Sequence, residues 1–295
     1  FSIKNNSDRF GEWILDYQNW SFVHLYQIEE GKIVNEQVSG HMMNYHDRDY
    51  PFANNNYIRI EVPHKTSNVY VARLEATSNN FTAPSSLNVP ITPRVQIDRK
   101  MRKQETLIAM FLSIYMILFL YNLFIYFSTK DVSYIFYLIH VLAVGYLIAN
   151  NSGFIMSFMS WAPGFPSIKP YLESSSSAVN MMGIALFTKS FLNTKEHLPI
   201  LNKVLTGAIV TIVIVTIGMA TKQPIWLFFT LILSFGLMML FLTTGIASYI
   251  KKVPSSQYYV LAYSFSIIGV LTLLAVYAGK LEPNTFISTY PTHIG

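Results

Sequence analysis

Thr106–Phe127, TLIAMFLSIYMILFLYNLFIYF, holds no charged residue, glycine or proline. At about 1.5 Å per residue it is long enough to cross a hydrocarbon core of roughly 30 Å. A spanning helix must bond its own backbone, so this stretch divides the chain between two solvents. The residues before it read as soluble β structure, and those after it read as membrane. Composition agrees: 52% hydrophobic and only 13% charged is too apolar for a pair of ordinary soluble domains.

Working back from that span, Arg94–Lys103, RVQIDRKMRK, is basic, and Arg99, Lys100, Arg102 and Lys103 suit a lipid headgroup layer. The formal charge of +5 is otherwise scattered or placed at helix ends, which speaks for the bilayer and against nucleic acid as a partner. Residues 1–93 read as short strands at Glu12–Tyr17, Phe22–Ile28, Lys32–Val38, Tyr57–Val62, Asn68–Ala76 and Ser86–Ile91. In YIRIEV, Ile58, Ile60 and Val62 alternate with Tyr57, Arg59 and Glu61, the period of a half-buried strand. Turn groups such as Glu29-Glu30-Gly31 separate the runs, favouring a β-sandwich.

Working forward, five further spans are expected at Val132–Asn150, about Pro170–Leu192, Val204–Thr221, Ile225–Ile250 and Tyr258–Gly279. A seventh begins near Thr289. With the sandwich outside, the inner loops carry Lys130, Lys189, Lys195, Lys203, Lys251 and Lys252, against Lys169, Lys222 and Lys280 outside. The basic run before the first span reverses that tally, but charge beside a large translocated domain is weak evidence. Phe1 is not methionine and no signal peptide is visible, so the chain reads as a fragment at its start, and YPTHIG reads as a severed end.

Catalytic chemistry finds no constellation. There is no cysteine, and no histidine pair has the i, i+4 spacing of a metalloprotease helix. Neither a phosphate loop nor a nucleophile elbow occurs, so no enzyme activity, cofactor or metal is expected of this segment. Within the membrane, His140, Asn122 and Asn180 are the polar residues to explain, and they read as interhelical hydrogen-bonding groups. In the sandwich, Trp20, Tyr45, His46, Arg48 and Arg73 are residue types that sugar-binding sandwiches use, aromatic faces for rings and charged donors for hydroxyls. Trp13, within a strand, reads as core.

Tyr121-Asn122-Leu123-Phe124, Asp131-Val132-Ser133-Tyr134, the segment Phe187–Leu201 (FTKSFLNTKEHLPIL), Gly279–Asn284 and Ile294-Gly295 together resemble the bacterial seven-transmembrane receptors with diverse intracellular signalling modules. WILDY, VHLYQI, Gly40, Arg48 and VYVARLEA resemble that family's type 2 extracellular sensor, a jelly-roll-like sandwich related in shape to carbohydrate-binding modules. The resemblance implies a multidomain membrane protein. Residues 1–93 would be an extracytoplasmic sensor lacking its first strand, 94–104 a basic linker, and 105–295 an all-α transmembrane bundle with six spans visible and the seventh cut. It implies residence in the bacterial inner membrane, N-terminal domain outside. It also implies a small-molecule ligand, a carbohydrate by likeness, and an output such as a histidine kinase, diguanylate cyclase or DNA-binding regulator. A homodimer is expected for a kinase or cyclase output. Arg48 and Arg73 are the ligand candidates, with strand-tying as their other reading. A transporter or channel with an accessory outer domain is the rival class.

Overall fold

The computed structural model describes residues 1–277 apart from 7–10, 19, 53–54, 77–88, 160, 163, 220, 222 and 224. The expected seventh helix, Gly279–Asn284 and the first half of the strand expected at Ser86–Ile91 lie outside the described residues. By its internal contacts the chain forms two compact units, Phe1–Ser113 with Ala149–Leu172, and Ile114–Ile148 with Glu173–Gly295.

The first unit contains two four-stranded antiparallel sheets. Strands β1 (Ser2–Lys4), β2 (Gly11–Asp16), β3 (Phe22–Glu29), β4 (Lys32–Ser39), β5 (Tyr50–Phe52), β6 (Asn55–Val62), β7 (Ser67–Glu75) and β8 (Ile91–Pro93) pair in the orders β1-β7-β3-β4 and β5-β6-β2-β8. Inward side chains of both sheets, Leu15, Val23, Leu25, Ile58, Ile60, Val62 and Tyr70, form one buried cluster, so the sheets stack as a sandwich. β3 and β4 meet through Glu30 and Gly31, both at positive φ (47° and 77°), the two-residue turn whose twist matches the flanking strands. β1 lies on the sandwich edge, paired antiparallel with β7.

Residues 94–104, expected to be a linker, are instead the opening turns of helix α1 (Arg94–Thr129). No spacer separates Pro93, the last residue of β8, from Arg94. Ile97 is buried with Ile14 and Tyr57 on the outer face of the β5-β6-β2-β8 sheet, and Met101 packs beside them. The i, i+4 spacing of Ile97 and Met101 is the apolar stripe of a helix, which the surrounding cations obscured. Arg94 Nη1 donates to Glu12 Oε2 at 2.7 Å, and its Nε lies 3.6 Å from Asp98 Oδ2. Asp98 also accepts the Tyr50 hydroxyl.

The remaining helices are α2 (Val132–Asn151), α3 (Phe154–Phe158), α4 (Phe165–Phe191), α5 (Thr194–His197), α6 (Pro199–Met219), α7 (Ile225–Ile250) and α8 (Ser256–Tyr277). Among the described residues four stretches are long and apolar enough to cross a membrane: α1, α2, α6 and Phe228–Ile250 of α7. The other two expected spans are helical as well, as α4 and α8. In the second unit Ala178, Ala185, Leu205, Ile212, Leu237 and Phe241 cluster, joining α4, α6 and α7. Hydroxyls are satisfied locally: Thr216, Thr230, Ser234 and Thr244 each donate to the carbonyl four residues back, which keeps them bonded where water is absent.

Candidate functional site

β5 pairs with β6 only as far as Tyr57, and among the described residues no strand covers that edge of β6 from Arg59 onward. Side chains take up that edge. Asp49 Oδ2 accepts the Arg59 amide at 2.8 Å, Gln37 Nε2 donates to the Arg59 carbonyl at 2.6 Å, and Asn68 Nδ2 to the Glu61 carbonyl at 3.3 Å. Capping an edge with side chains blocks edge-to-edge pairing. Beside this edge, between the two sheets, lies a cleft of about 530 Å³.

The cleft is lined by Gln27, Glu29, Asn35, Gln37, Arg59, Glu61, Asn68 and Tyr70, with Ile60, Pro63 and Thr66. The strand parity explains its polarity. Val23 and Leu25 of β3 point into the core, and Gln27 and Glu29 continue the same face. In register across β4, Asn35 stands opposite Gln27 and Gln37 opposite Leu25. Gln27 Nε2 bonds Glu29 Oε1 at 2.9 Å, and Asn68 Nδ2 reaches the Tyr70 hydroxyl at 3.3 Å. Burial of Tyr70 raises its phenol above the ordinary tyrosine range. Amides, carboxylates and a guanidinium in one concave surface offer both donors and acceptors to a polar small molecule.

None of the five sandwich residues singled out from sequence lines this cleft. Arg48 is buried, with Nη2 donating to the carbonyls of Met43 (3.1 Å) and His41 (3.4 Å), so it ties together the loop between β4 and β5. Loss of water lowers its pKa to about 10. Arg73 is exposed on the outward face of β7 and pairs with Glu75 at 2.6 Å. Trp20 packs against the sandwich core, and its carbonyl accepts Asn56 Nδ2 at 2.6 Å. Tyr45 and His46 meet edge-on at 5.5 Å on the 3-10 turn Tyr45–Asp47. Tyr45 also lines a smaller cavity of about 200 Å³ with Glu105, Ile108 and Leu112 of α1 and Phe154 of α3. The five therefore do not converge. The signal that marks the cleft was legible nonetheless, since inward positions that turn polar along one strand show where a sandwich opens.

Of the intramembrane polar residues, His140 on α2 and Asn180 on α4 meet, Nδ1 to Oδ1 at 2.5 Å. Asn122 does not join another helix. Its Nδ2 donates to the Leu118 carbonyl of α1, one turn back, and the residue is half-buried.

A β-sandwich followed by apolar helices of membrane-crossing length makes this a multi-pass membrane protein with a soluble N-terminal domain. The chain belongs to the 7TM diverse intracellular signalling family, whose profile matches residues 104–295. Residues 1–87 match the family's second extracellular domain, 7TMR-DISM extracellular 2. The protein is thus of the transmembrane signalling receptor type, its N-terminal sensor domain extracellular. No curated protein and no solved structure matches the chain.

Proposed function

We propose that the β6-edge cleft binds a small, hydroxyl-rich polar molecule, a carbohydrate being the representative class, and that this biases the helical bundle through α1. The chain itself acts by binding, and a cytoplasmic output module of kinase, cyclase or DNA-binding type reads the change. The receptor sits in a bacterial inner membrane with the sandwich outside. The observation that carries this reading is the direct passage of β8 into α1, with Ile97 buried against Ile14 and Tyr57. Gln37 and Asp49 grip β6 at Arg59, β6 pairs along its length with β2, and β2 with Tyr57 holds the first turns of α1. A ligand that pulls on the edge of β6 therefore acts on the seat of the helix. It shifts the receptor only by the difference in its affinity for the two arrangements of that seat.

Inserting Gly-Gly-Ser between Pro93 and Arg94 in the complete receptor tests the coupling. The expected result is unchanged ligand affinity with output lost. Retained output through the flexible insert would sink the coupling. Titration of the receptor in nanodiscs against a panel of soluble mono- and oligosaccharides tests the site, with Gln37→Ala and Asn68→Ala each weakening binding about tenfold.

A further inference from the structure

A second cavity, of about 570 Å³, lies wholly within the helical unit among α1, α2, α4, α7 and α8. Its size is that of a small-molecule site rather than a packing defect. Among the described residues no Asp, Glu, Lys or Arg lines it, and the described lining offers an ionic ligand no counter-charge. One wall is aromatic. Tyr137 meets Phe187 at 5.6 Å, Phe187 stacks on Phe191 at 4.9 Å, and Tyr259 stacks on Tyr263 at 4.7 Å. Such a wall favours a flat ring over a bulky one.

The polar end is the His140–Asn180 pair. With Asn180 Oδ1 as the acceptor of this bond, His140 Nδ1 carries the proton and Nε2 is left as an acceptor. Among the described residues neither His140 Nε2 nor Asn180 Nδ2 takes a further protein partner. The cavity thus presents a donor, the Asn180 amide, next to an acceptor, the imidazole nitrogen. Ser177, one turn from Asn180, adds a hydroxyl. A phospholipid acyl chain could fill the space but would leave these groups unsatisfied in an apolar medium, which is costly.

We propose that this cavity binds a neutral, flat, lipid-soluble molecule bearing a carbonyl beside a hydroxyl, the carbonyl accepting from Asn180 and the hydroxyl donating to His140. The bundle is then a receptor site in its own right, reached from the bilayer and independent of the sandwich cleft. A hydrophobic signal and a water-soluble one would act on the same set of helices.

The test uses the whole chain in phosphatidylcholine nanodiscs, titrated with 3-hydroxyflavone. This probe is flat and neutral, with adjacent carbonyl and hydroxyl groups, and its two emission bands change ratio when a partner bonds them. The expected result is a saturable change in band ratio absent from empty nanodiscs. Asn180→Leu, which removes the donor, and Ala262→Phe, which fills the α8 wall from an exposed position, should each weaken binding about tenfold. Thermal unfolding of both variants, matched to the parent, shows that the bundle is intact. A titration that superimposes on empty nanodiscs overturns the proposal, as does saturable binding that both variants leave unchanged.

Discussion

Arg48 and Arg73 carry the same charge and end in opposite surroundings, and that difference fixes what each substitution costs. Arg48 is buried and bonds two loop carbonyls. Arg48→Ala is expected to lower the unfolding free energy by about 2 kcal/mol, because it strands buried acceptors. Arg73 pairs with Glu75 in solvent, so Arg73→Ala should change stability by less than about 0.5 kcal/mol. Thermal unfolding of the two variants in detergent checks both. Asp16 offers a pH test. Burial raises its pKa, against the Gln18 amide and the charge of Lys100, which lower it. The folded state therefore holds the Asp16 proton more tightly than the unfolded chain does. That contribution is fully present below the unfolded carboxylate pKa and is lost as pH rises through the higher folded value. Asp16→Asn keeps an acceptor for the Gln18 amide, now 2.9 Å from Asp16 Oδ1, while removing the charge. The variant should melt above the parent at pH 7, with the gap closing at pH values below the ordinary carboxylate range; a gap independent of pH would show that charge is not the cause.

Among the elements, the seam between α2 and α4 is set by small residues. Ser133 and Ser190 bond at 2.8 Å, Ser176 Oγ donates to the Ala143 carbonyl at 3.2 Å, and between them lies Gly183. A Cβ at Gly183 would stand 3.0 Å from the His140 amide nitrogen and 3.2 Å from the Phe136 carbonyl oxygen, both backbone atoms that cannot swing aside. Gly183→Val should cost about 2 kcal/mol by forcing the helices apart. Gly207→Ala on α6, where nothing lies within 4 Å, should be neutral or stabilising by up to about 1 kcal/mol. Comparing their melting temperatures in one detergent separates a seam effect from a general effect of glycine. Sequence periodicity located this architecture well where elements are long. The apolar runs that became α1, α2, α6 and α7 need no tertiary information, and neither does the alternation of Tyr57–Val62. It failed where an element is too short to show a period, as in β1 and β5, and where two patterns overlap, as in Arg94–Lys103. There a cationic surface hid the Ile97–Met101 stripe. The β3 side of the cleft was legible in the strand's own parity, where Gln27 and Glu29 follow Val23 and Leu25, but its other residues are ordinary surface amides one by one, brought alongside only by the pairing of β3 with β4 and the stacking of the sheets. The His140–Asn180 contact was legible as two polar residues in apolar helices, but not as a pair, since the distance between helices is not written in either one.

For the whole molecule, the junction of sandwich and membrane is where two requirements meet on one helix. Ile97 must stay against the sheet, while Arg99, Lys100, Arg102 and Lys103, all exposed, stand just ahead of the apolar Thr106–Phe127 span. Helical geometry meets both at once, because the buried stripe occupies one side and leaves the cations free around the rest of the circumference. The cations therefore lie at the depth of lipid headgroups whenever the apolar span is centred in the bilayer. Anionic headgroups should stabilise that placement by about 1 kcal/mol per cation near the surface. The receptor is expected to unfold at a higher temperature in nanodiscs containing phosphatidylglycerol than in phosphatidylcholine alone. That difference should shrink by about half in Arg99→Gln/Arg102→Gln, which removes two of the four charges, and should fade as salt shortens the screening length to roughly 3 Å at 1 M. A difference between lipids that persists in high salt would mean the headgroups act through packing rather than charge. α1 would then be anchored by its apolar span and its seat on the sheet alone.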